Sequence, residues 1–477
     1  MSWDITPILS SNRLASIRRS WEIIATLGMP FLFCAIFESL FPFRNTSKLS
    51  QLYKPVYAII IPMLHEVVIV GGGFGGVRVA KILSKWDERI HITLIDKSRY
   101  HTFYPNLYEA ATADIPEPFG HLAVNFYDLK NSSIYPLEDI FLNDLNVTVL
   151  EKEVVGINFK KHKILFKDSE ARSYDVLVLA AGSETNYFNM PGTKECVMPI
   201  KSFFDALAIR NAVDEAFATL PKNHIVQIVI GGGGFTGCEL AAEMAGYMKK
   251  LAKIHGRPEY YSECRIIEAG EALLGGASPA LQKKTKERLD ALGIKFVLNS
   301  AVKSLADKKV ILADGKEMPY DVLVWAAGVK ANNLVKIISE AKLKKASCAA
   351  VDKFLRILPY ENVFGVGDMT YCVDEKTGKS LPMTASVAIR EAKYAAENIK
   401  RMILKKPLVN YRPHHAGFII PLGGRYALLE SHGIRLSGFL PWAVKQMVSL
   451  HYWGNLLGWR RAFGLWKNGL EIYAQND

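Results

Sequence analysis

Cysteine is scarce: six in 477 residues, at Cys34, Cys196, Cys238, Cys264, Cys348 and Cys372. None forms a CxxC pair, and none stands in metal-ligand spacing with a histidine. A disulfide scaffold is excluded and no metal is expected. No sustained period runs through the chain, so collagen-like and coiled-coil architectures are excluded too. At 49% hydrophobic and 22% charged residues, the composition excludes a largely disordered chain. Charge of one sign is also missing from most of the sequence. Residues 65–399 carry 42 basic against 41 acidic side chains, although the whole chain is +12. The excess sits at the ends, with a surplus of 3 in residues 1–64 and 8 in residues 400–477. A length of 477 residues suits two or three domains.

Residues 1–64 differ in character from the rest of the chain. Ile23 to Phe37 is uncharged for 15 residues but interrupted by Pro30, short of the roughly 20 that a spanning helix needs. Arg13, Arg18 and Arg19 precede it. A membrane-associated leader, a targeting peptide and a translation start at Met63 remain three open readings.

From His65 the pattern sharpens. The apolar run Val67 to Val70 predicts a buried parallel strand. It meets Gly71, Gly73, Phe74, Gly75 and Gly76 in a GxGxxG loop, followed by helical spacing to Ser84. Glycines there allow a tight turn and bring backbone amides close to a pyrophosphate. A second strand ends in Asp96, 20 residues after Gly76, the distance at which an acid meets the ribose hydroxyls. The arrangement recurs. A strand from Ile225 to Ile230 leads to a loop through Gly232, Gly234 and Gly237, and the next strand ends in Glu268, 31 residues on. A carboxylate there accepts from a ribose 2′-hydroxyl and repels a 2′-phosphate, which favours NADH over NADPH. Two further strands end alike, at Ala180-Ala181-Gly182 and Ala326-Ala327-Gly328, where small residues let backbone approach a cofactor. A third closes on Gly367-Asp368, where a carboxylate can bond a flavin's ribityl hydroxyl.

Together these residues resemble the flavoproteins with two dinucleotide-binding domains, over about 65–473. The resemblance implies an α/β fold of two Rossmann-like domains. An FAD-binding domain (65–193 and 357–410) is interrupted by an NADH-binding domain (194–356). A C-terminal membrane-association module (411–477) comes last. The nearest likeness is to the type II NADH:quinone oxidoreductases, carried by Ile95-Asp96-Lys97 with Tyr100 to Pro105, Gly234 to Ala241, Pro382 to Asn398, and Trp453 to Tyr473. It implies non-covalent FAD, NADH as substrate and a membrane quinone as acceptor. Glu239 then lies near the nicotinamide, its alternative role being stabilisation of the helix's first turn. The turn at Thr384 and Ala385 aims helix amides at the flavin. The quinone motif departs from the family pattern: both glutamines are replaced, by Ser386 and Arg390, while Glu391 remains. A sulfide:quinone oxidoreductase-like acceptor site, with Cys196 and Cys372 as isolated candidates, is one alternative. A nucleic-acid-binding flavoprotein resembling apoptosis-inducing factor is another.

Leu456, Trp459, Phe463, Trp466, Leu470 and Tyr473 fall near helical spacing, with Arg460, Arg461 and Lys467 off that face. Trp442, Lys445 and Trp453 extend the pattern. This is the composition of a helix lying on an anionic lipid surface; the alternative is docking on the protein core or on a second copy in a homodimer. The expected place is the cytoplasmic face of the plasma membrane, or the mitochondrial inner membrane in a eukaryote, with no nucleic acid partner.

Overall fold

The computed structural model describes residues 65–473 except 88, 114–125, 191–192, 339–342, 375–377 and 415–416. The expectations for residues 1–64 lie outside the described residues.

In chain order, the first strand β1 (His65–Val70) turns into helix α1 (Phe74–Ser84) and strand β2 (Ile90–Asp96). After the short helix α2 (Leu107–Ala110) come β3 (Val147–Glu151) and β4 (Val176–Leu179). The second unit runs β5 (Met198–Pro199), α3 (Phe203–Thr219), β6 (Val226–Gly231), α4 (Phe235–Ile254), β7 (Ser262–Ile267), β8 (Lys295–Val297) and β9 (Val322–Trp325). Strand β10 (Val363–Gly365) and helix α5 (Ala385–Ile403) return to the first unit. A three-stranded antiparallel sheet, β11 (Phe418–Pro421), β12 (Ala427–Ser431) and β13 (Ile434–Gly438), leads to α6 (Phe439–Leu457) and α7 (Trp459–Tyr473).

Two five-stranded parallel sheets have matching orders, β10-β4-β1-β2-β3 and β5-β9-β6-β7-β8. Val67, Val68 and Ile69 have no exposed surface. Layers cover both faces of the sheet, so its strand reads as an unbroken apolar run rather than an alternating one. In both units the loop following the central strand brings backbone against backbone. Gly71 has φ +116°, and a Cβ on it would sit 2.2 Å from the Ala180 carbonyl oxygen. A Cβ on Gly76 would sit 1.8 Å from the Gly71 carbonyl oxygen, and one on Gly237 would sit 1.9 Å from that of Gly232.

Within the stretch from 331 to 349, Ala331, Leu334, Val335, Ile338, Cys348 and Ala349 pack into the core beside β1 and β4. Their apolar side chains complete that layer, a preference no local pattern discloses. The C-terminal expectation needs correcting. Lys445, Trp453 and Leu456 are buried against the first unit, and the Trp466 indole donates to the Gln446 carbonyl at 3.0 Å. Trp459 and Phe463 do face outward, beside exposed Arg460, Arg461 and Lys467. They join Ile434, Leu436, Phe439, Leu440, Met447 and Val448, all exposed. No described helix is long and apolar enough to cross a membrane.

Replacing Gly76 with Ala is expected to cost about 1–3 kcal/mol of stability, because the backbone of Gly71 has to move; urea midpoints of the two proteins measure it. Gly73, whose Cβ would meet nothing within 4 Å, should tolerate Ala with a change below about 1 kcal/mol.

Candidate functional site

A cavity of about 330 Å³ opens between the two units. The first glycine loop supplies Gly73, Phe74 and Gly75, β2 supplies Asp96, and the end of β4 supplies Ala181 and Gly182. Asp368 and the start of α5, through Thr384 and Ala385, complete that side. Thr236 and Glu239, from the first turn of α4, enter from the second unit. A second cavity of about 460 Å³ shares Asp96 and Ala181 with the first and adds Gly71 and Lys97. Residues roughly 300 positions apart in sequence are thus brought to one elongated, glycine-lined space. Its walls suit a dinucleotide: amides at a helix N-terminus, carboxylates for sugar hydroxyls, and no side chain over the loop.

Both acids brace their own loops. Asp96 accepts from the Gly72 amide at 2.7 Å and from the Ser98 amide at 2.8 Å. Glu268 accepts from the Gly233 amide at 2.6 Å and from the Gly270 amide at 2.7 Å. Burial raises the Asp96 carboxyl above its ordinary value, against the pull of those amides. Gly232 donates to the Ile267 carbonyl at 2.8 Å, as Gly71 does to Ile95 at 2.7 Å. Beyond Gly232, a Cβ would sit 2.4 Å from Ala327, next to Gly328. Gly76 and Gly237 therefore serve the turn, and Gly234 precedes α4 as its N-cap.

Two groups escaped the sequence. Ser183 donates to Asp368 at 2.5 Å, and the Lys201 ammonium donates to Ser183 at 2.9 Å. Both line the first cavity. Burial pulls the Lys201 ammonium below its usual range, opposed by Asp368. Ser183 comes directly after Gly182, which was a usable signal. Lys201 lies at the start of the second unit, and nothing local marks it.

Behind Glu239 lies a buried charge cluster. Lys445 of α6 donates to Glu109 of α2 at 2.6 Å and bonds the Tyr108 hydroxyl. Tyr108 in turn donates to Glu109 at 2.7 Å. Glu109 Oε2 is buried with no partner. Burial pushes the Glu239 carboxyl up to about 8, with Lys445 pulling it down and Glu109 pushing it up.

The three expected quinone-side residues part ways. Glu391 is buried and accepts from the Gly367 amide at 2.6 Å. Burial pushes its carboxyl up to about 8, against that amide and the Cys372 thiol. It braces the turn that carries Asp368 rather than facing the cavity. Arg390 donates to the Arg412 carbonyl at 3.0 Å, and exposed Ser386 lies 3.1 Å from Thr384 Oγ1. Neither lines the two cavities. A helix of 3.6 residues per turn puts Ala385 and Ala388 on the cavity wall and sends Ser386 and Arg390 elsewhere. The five described cysteines are free, and none lines the first cavity.

The pyridine nucleotide-disulphide oxidoreductase family matches residues 65–392. A type II NADH:quinone oxidoreductase of Mycobacterium tuberculosis is 30% identical over 421 residues, covering 83% of this chain and 84% of that one. The chain belongs to the pyridine nucleotide-disulphide oxidoreductase family, among its type II NADH:quinone oxidoreductases. The Haemophilus influenzae type II NADH:quinone oxidoreductase is 26% identical, covering 76% of this chain and 86% of that one. In fold, the chain is similar to NDH2 from Plasmodium falciparum, solved in complex with NADH. The TM-score is 0.73 at 21% identity, covering 86% of this chain and 99% of that one. It is also similar to the sulfide:quinone oxidoreductase of Aquifex aeolicus, with TM-score 0.67, 21% identity, and coverage of 83% and 92%.

Two outcomes are expected of this family member. Lys445→Met leaves the Glu109 carboxylate buried without a cation, its Tyr108 hydrogen bond remaining, and should cost about 3–5 kcal/mol of stability in chemical denaturation; the double variant with Glu109→Gln should recover most of it. For Glu391, the folded chain keeps a proton that the unfolded chain releases between 4.5 and about 8. Unfolding free energy should therefore fall as pH rises through that window and level off above it. Denaturation at a series of pH values should show this slope reduced in Glu391→Gln.

Proposed function

We propose that this chain is an FAD-dependent NADH dehydrogenase that passes hydride from NADH to FAD and two electrons on to a membrane quinone. The observation that carries the reading is the shared cavity: residues of the first dinucleotide loop and Glu239 of the second unit line one space. The names of the curated relatives supply the acceptor.

FAD, when bound, supplies a ring that takes up hydride and releases electrons singly or in pairs. The chain's own residues hold and orient. Gly73, Phe74 and Gly75 leave room for a pyrophosphate at the N-terminus of α1, and Lys97 reaches the adjoining cavity. Asp368, held by Ser183, offers a carboxylate to sugar hydroxyls. Thr384 and Ala385 present the unpaired amides of the first turn of α5, whose partial positive charge favours a reduced, electron-rich ring. On the second unit, Gly232, Gly234 and Gly237 shape the NADH loop, with Ala327 and Gly328 behind it. Glu268 selects the free ribose hydroxyl. Glu239 keeps a proton on its carboxyl at neutral pH and lines the cavity on the side where the nicotinamide would enter.

The exposed apolar side chains of β13, α6 and α7, with Arg460, Arg461 and Lys467 around them, fit an anionic lipid surface. We place the protein peripherally on the cytoplasmic face of a plasma membrane, or on the mitochondrial inner membrane in a eukaryote. A quinone arriving from that side would pass Ser386 and Arg390, which lie outside both cavities, before it meets the wall at Ala385 and Ala388, while Glu391 braces the turn at Gly367.

Steady-state oxidation of NADH and NADPH against a panel of quinones and ferricyanide tests the reading. NADH should be preferred at least about tenfold in kcat/KM, since a 2′-phosphate meets a carboxylate. Quinones should sustain turnover; oxidation proceeding only with oxygen or a protein acceptor would sink the quinone half. The wild-type rate should decline above about pH 8. In Glu239→Gln that decline should be absent from the pH profile.

A further inference from the structure

His101 joins the first glycine loop to the C-terminal helix. The side chain has no exposed surface. Its Nδ1 lies 2.9 Å from the Gly72 carbonyl oxygen, and its Nε2 lies 2.8 Å from the Tyr452 hydroxyl on α6. A carbonyl only accepts, so Nδ1 carries the proton. Burial pushes the ring down to about 4, so the ring is neutral and Nε2 accepts from Tyr452. The tautomer follows from this chain of bonds. Rings close around it: Phe74 meets His101 edge-on at 5.2 Å and Tyr452 at 5.0 Å, and Trp453 stands 5.9 Å from His101.

The consequence lies in one peptide. The Gly72 amide is held by Asp96 at 2.7 Å and the Gly72 carbonyl by His101. A trans peptide sends its carbonyl and the next amide in opposite directions. Holding the Gly72 carbonyl therefore sends the Gly73 amide to the other side of that peptide, and Gly73 lines the cavity. Glycine has no side chain to enforce this orientation and loses the most backbone entropy in adopting it. The constraint has to come from outside the loop: Asp96 holds the amide, His101 holds the carbonyl, and Tyr452 of α6 fixes His101 in turn.

We propose that His101 and Tyr452 are positioning residues for the flavin: the docked C-terminal helix, through the Tyr452–His101–Gly72 chain, holds the first glycine loop in its binding shape. The inference rests on the FAD reading above. It makes the lipid-facing module part of the flavin site, so that loss of its contact loosens FAD before the fold gives way.

The full-length chain, stripped of flavin and titrated with FAD under flavin fluorescence, tests it. Tyr452→Phe leaves His101 Nε2 buried without a donor and should weaken FAD binding about three- to tenfold. His101→Leu removes the donor and should weaken it by about tenfold or more. His101→Asn restores a donor near the Nδ1 position and should bind FAD within about threefold of wild type. Trp466→Phe, which removes a bond within the helix pair alone, should leave the FAD constant unchanged. The KM for NADH should stay the same in all four. Equal FAD constants in wild type and Tyr452→Phe overturn the proposal, and that variant decides alone if His101→Leu does not fold. So does an Asn variant as weak as the Leu variant, since packing and not the donor would then matter. A wild-type chain that takes up no FAD overturns the underlying reading, and this inference with it.

Discussion

Two backbone-on-backbone contacts set the terms for the rest of this structure. Where β1 and β6 end, the chain reverses so tightly that Gly76 and Gly237 lie against the carbonyls of Gly71 and Gly232. The tightness starts each helix immediately after its strand, points the helix N-terminus at the cavity, and leaves no side chain in the way. The remaining site residues are arranged around those turns. Asp96 and Glu268 brace the middle glycines, and His101 holds the first loop from behind.

Around that frame, three acidic side chains, Glu109, Glu239 and Glu391, have different effects. Lys445 and Glu109 form a close pair that pins α6 to α2. Pairs of this kind gain little net stability but are costly to break, which makes them good at specifying where a helix docks. Glu239 and Glu391 have no such close cation among the described residues, and burial pushes both carboxyls up to about 8. At Glu391 the retained proton accompanies a structural turn. At Glu239 it lies at the wall of the cavity shared with the first glycine loop. Similar shifts in two glutamates thus belong to different tasks, and only the lining of the cavity tells them apart.

Much of the fold was legible because its signals are local. The strands from His65 and Val226, the glycine loops and the terminal acids lie within short stretches of chain, and the second copy strengthened the reading of the first. Helix α5 was placed by the likeness of Pro382 to Asn398 to the family's quinone-site segment. Legibility failed where a residue's role depends on which face of a helix or which layer it joins. Ser386 and Arg390 share the helix of Thr384 and Ala385 but not their direction. Lys445 and Trp453 had the composition of a lipid-facing helix yet face inward. In their place the exposed patch draws Phe439, Leu440, Met447 and Val448 from α6 and Ile434 and Leu436 from β13.

By itself the sequence determined that this chain has two dinucleotide units in one core order, that an acid closes the second strand of each, and that its basic surplus lies beside C-terminal aromatics. Those properties depend on spacing along the chain, and spacing survives without coordinates. Only the tertiary structure decided that Glu239 shares a cavity with the first loop, that Lys201 and Ser183 support Asp368, and that Tyr452 reaches Gly72 through His101. Those contacts join residues up to 351 positions apart. Their geometry is set by how helices and sheets pack, which no local pattern encodes.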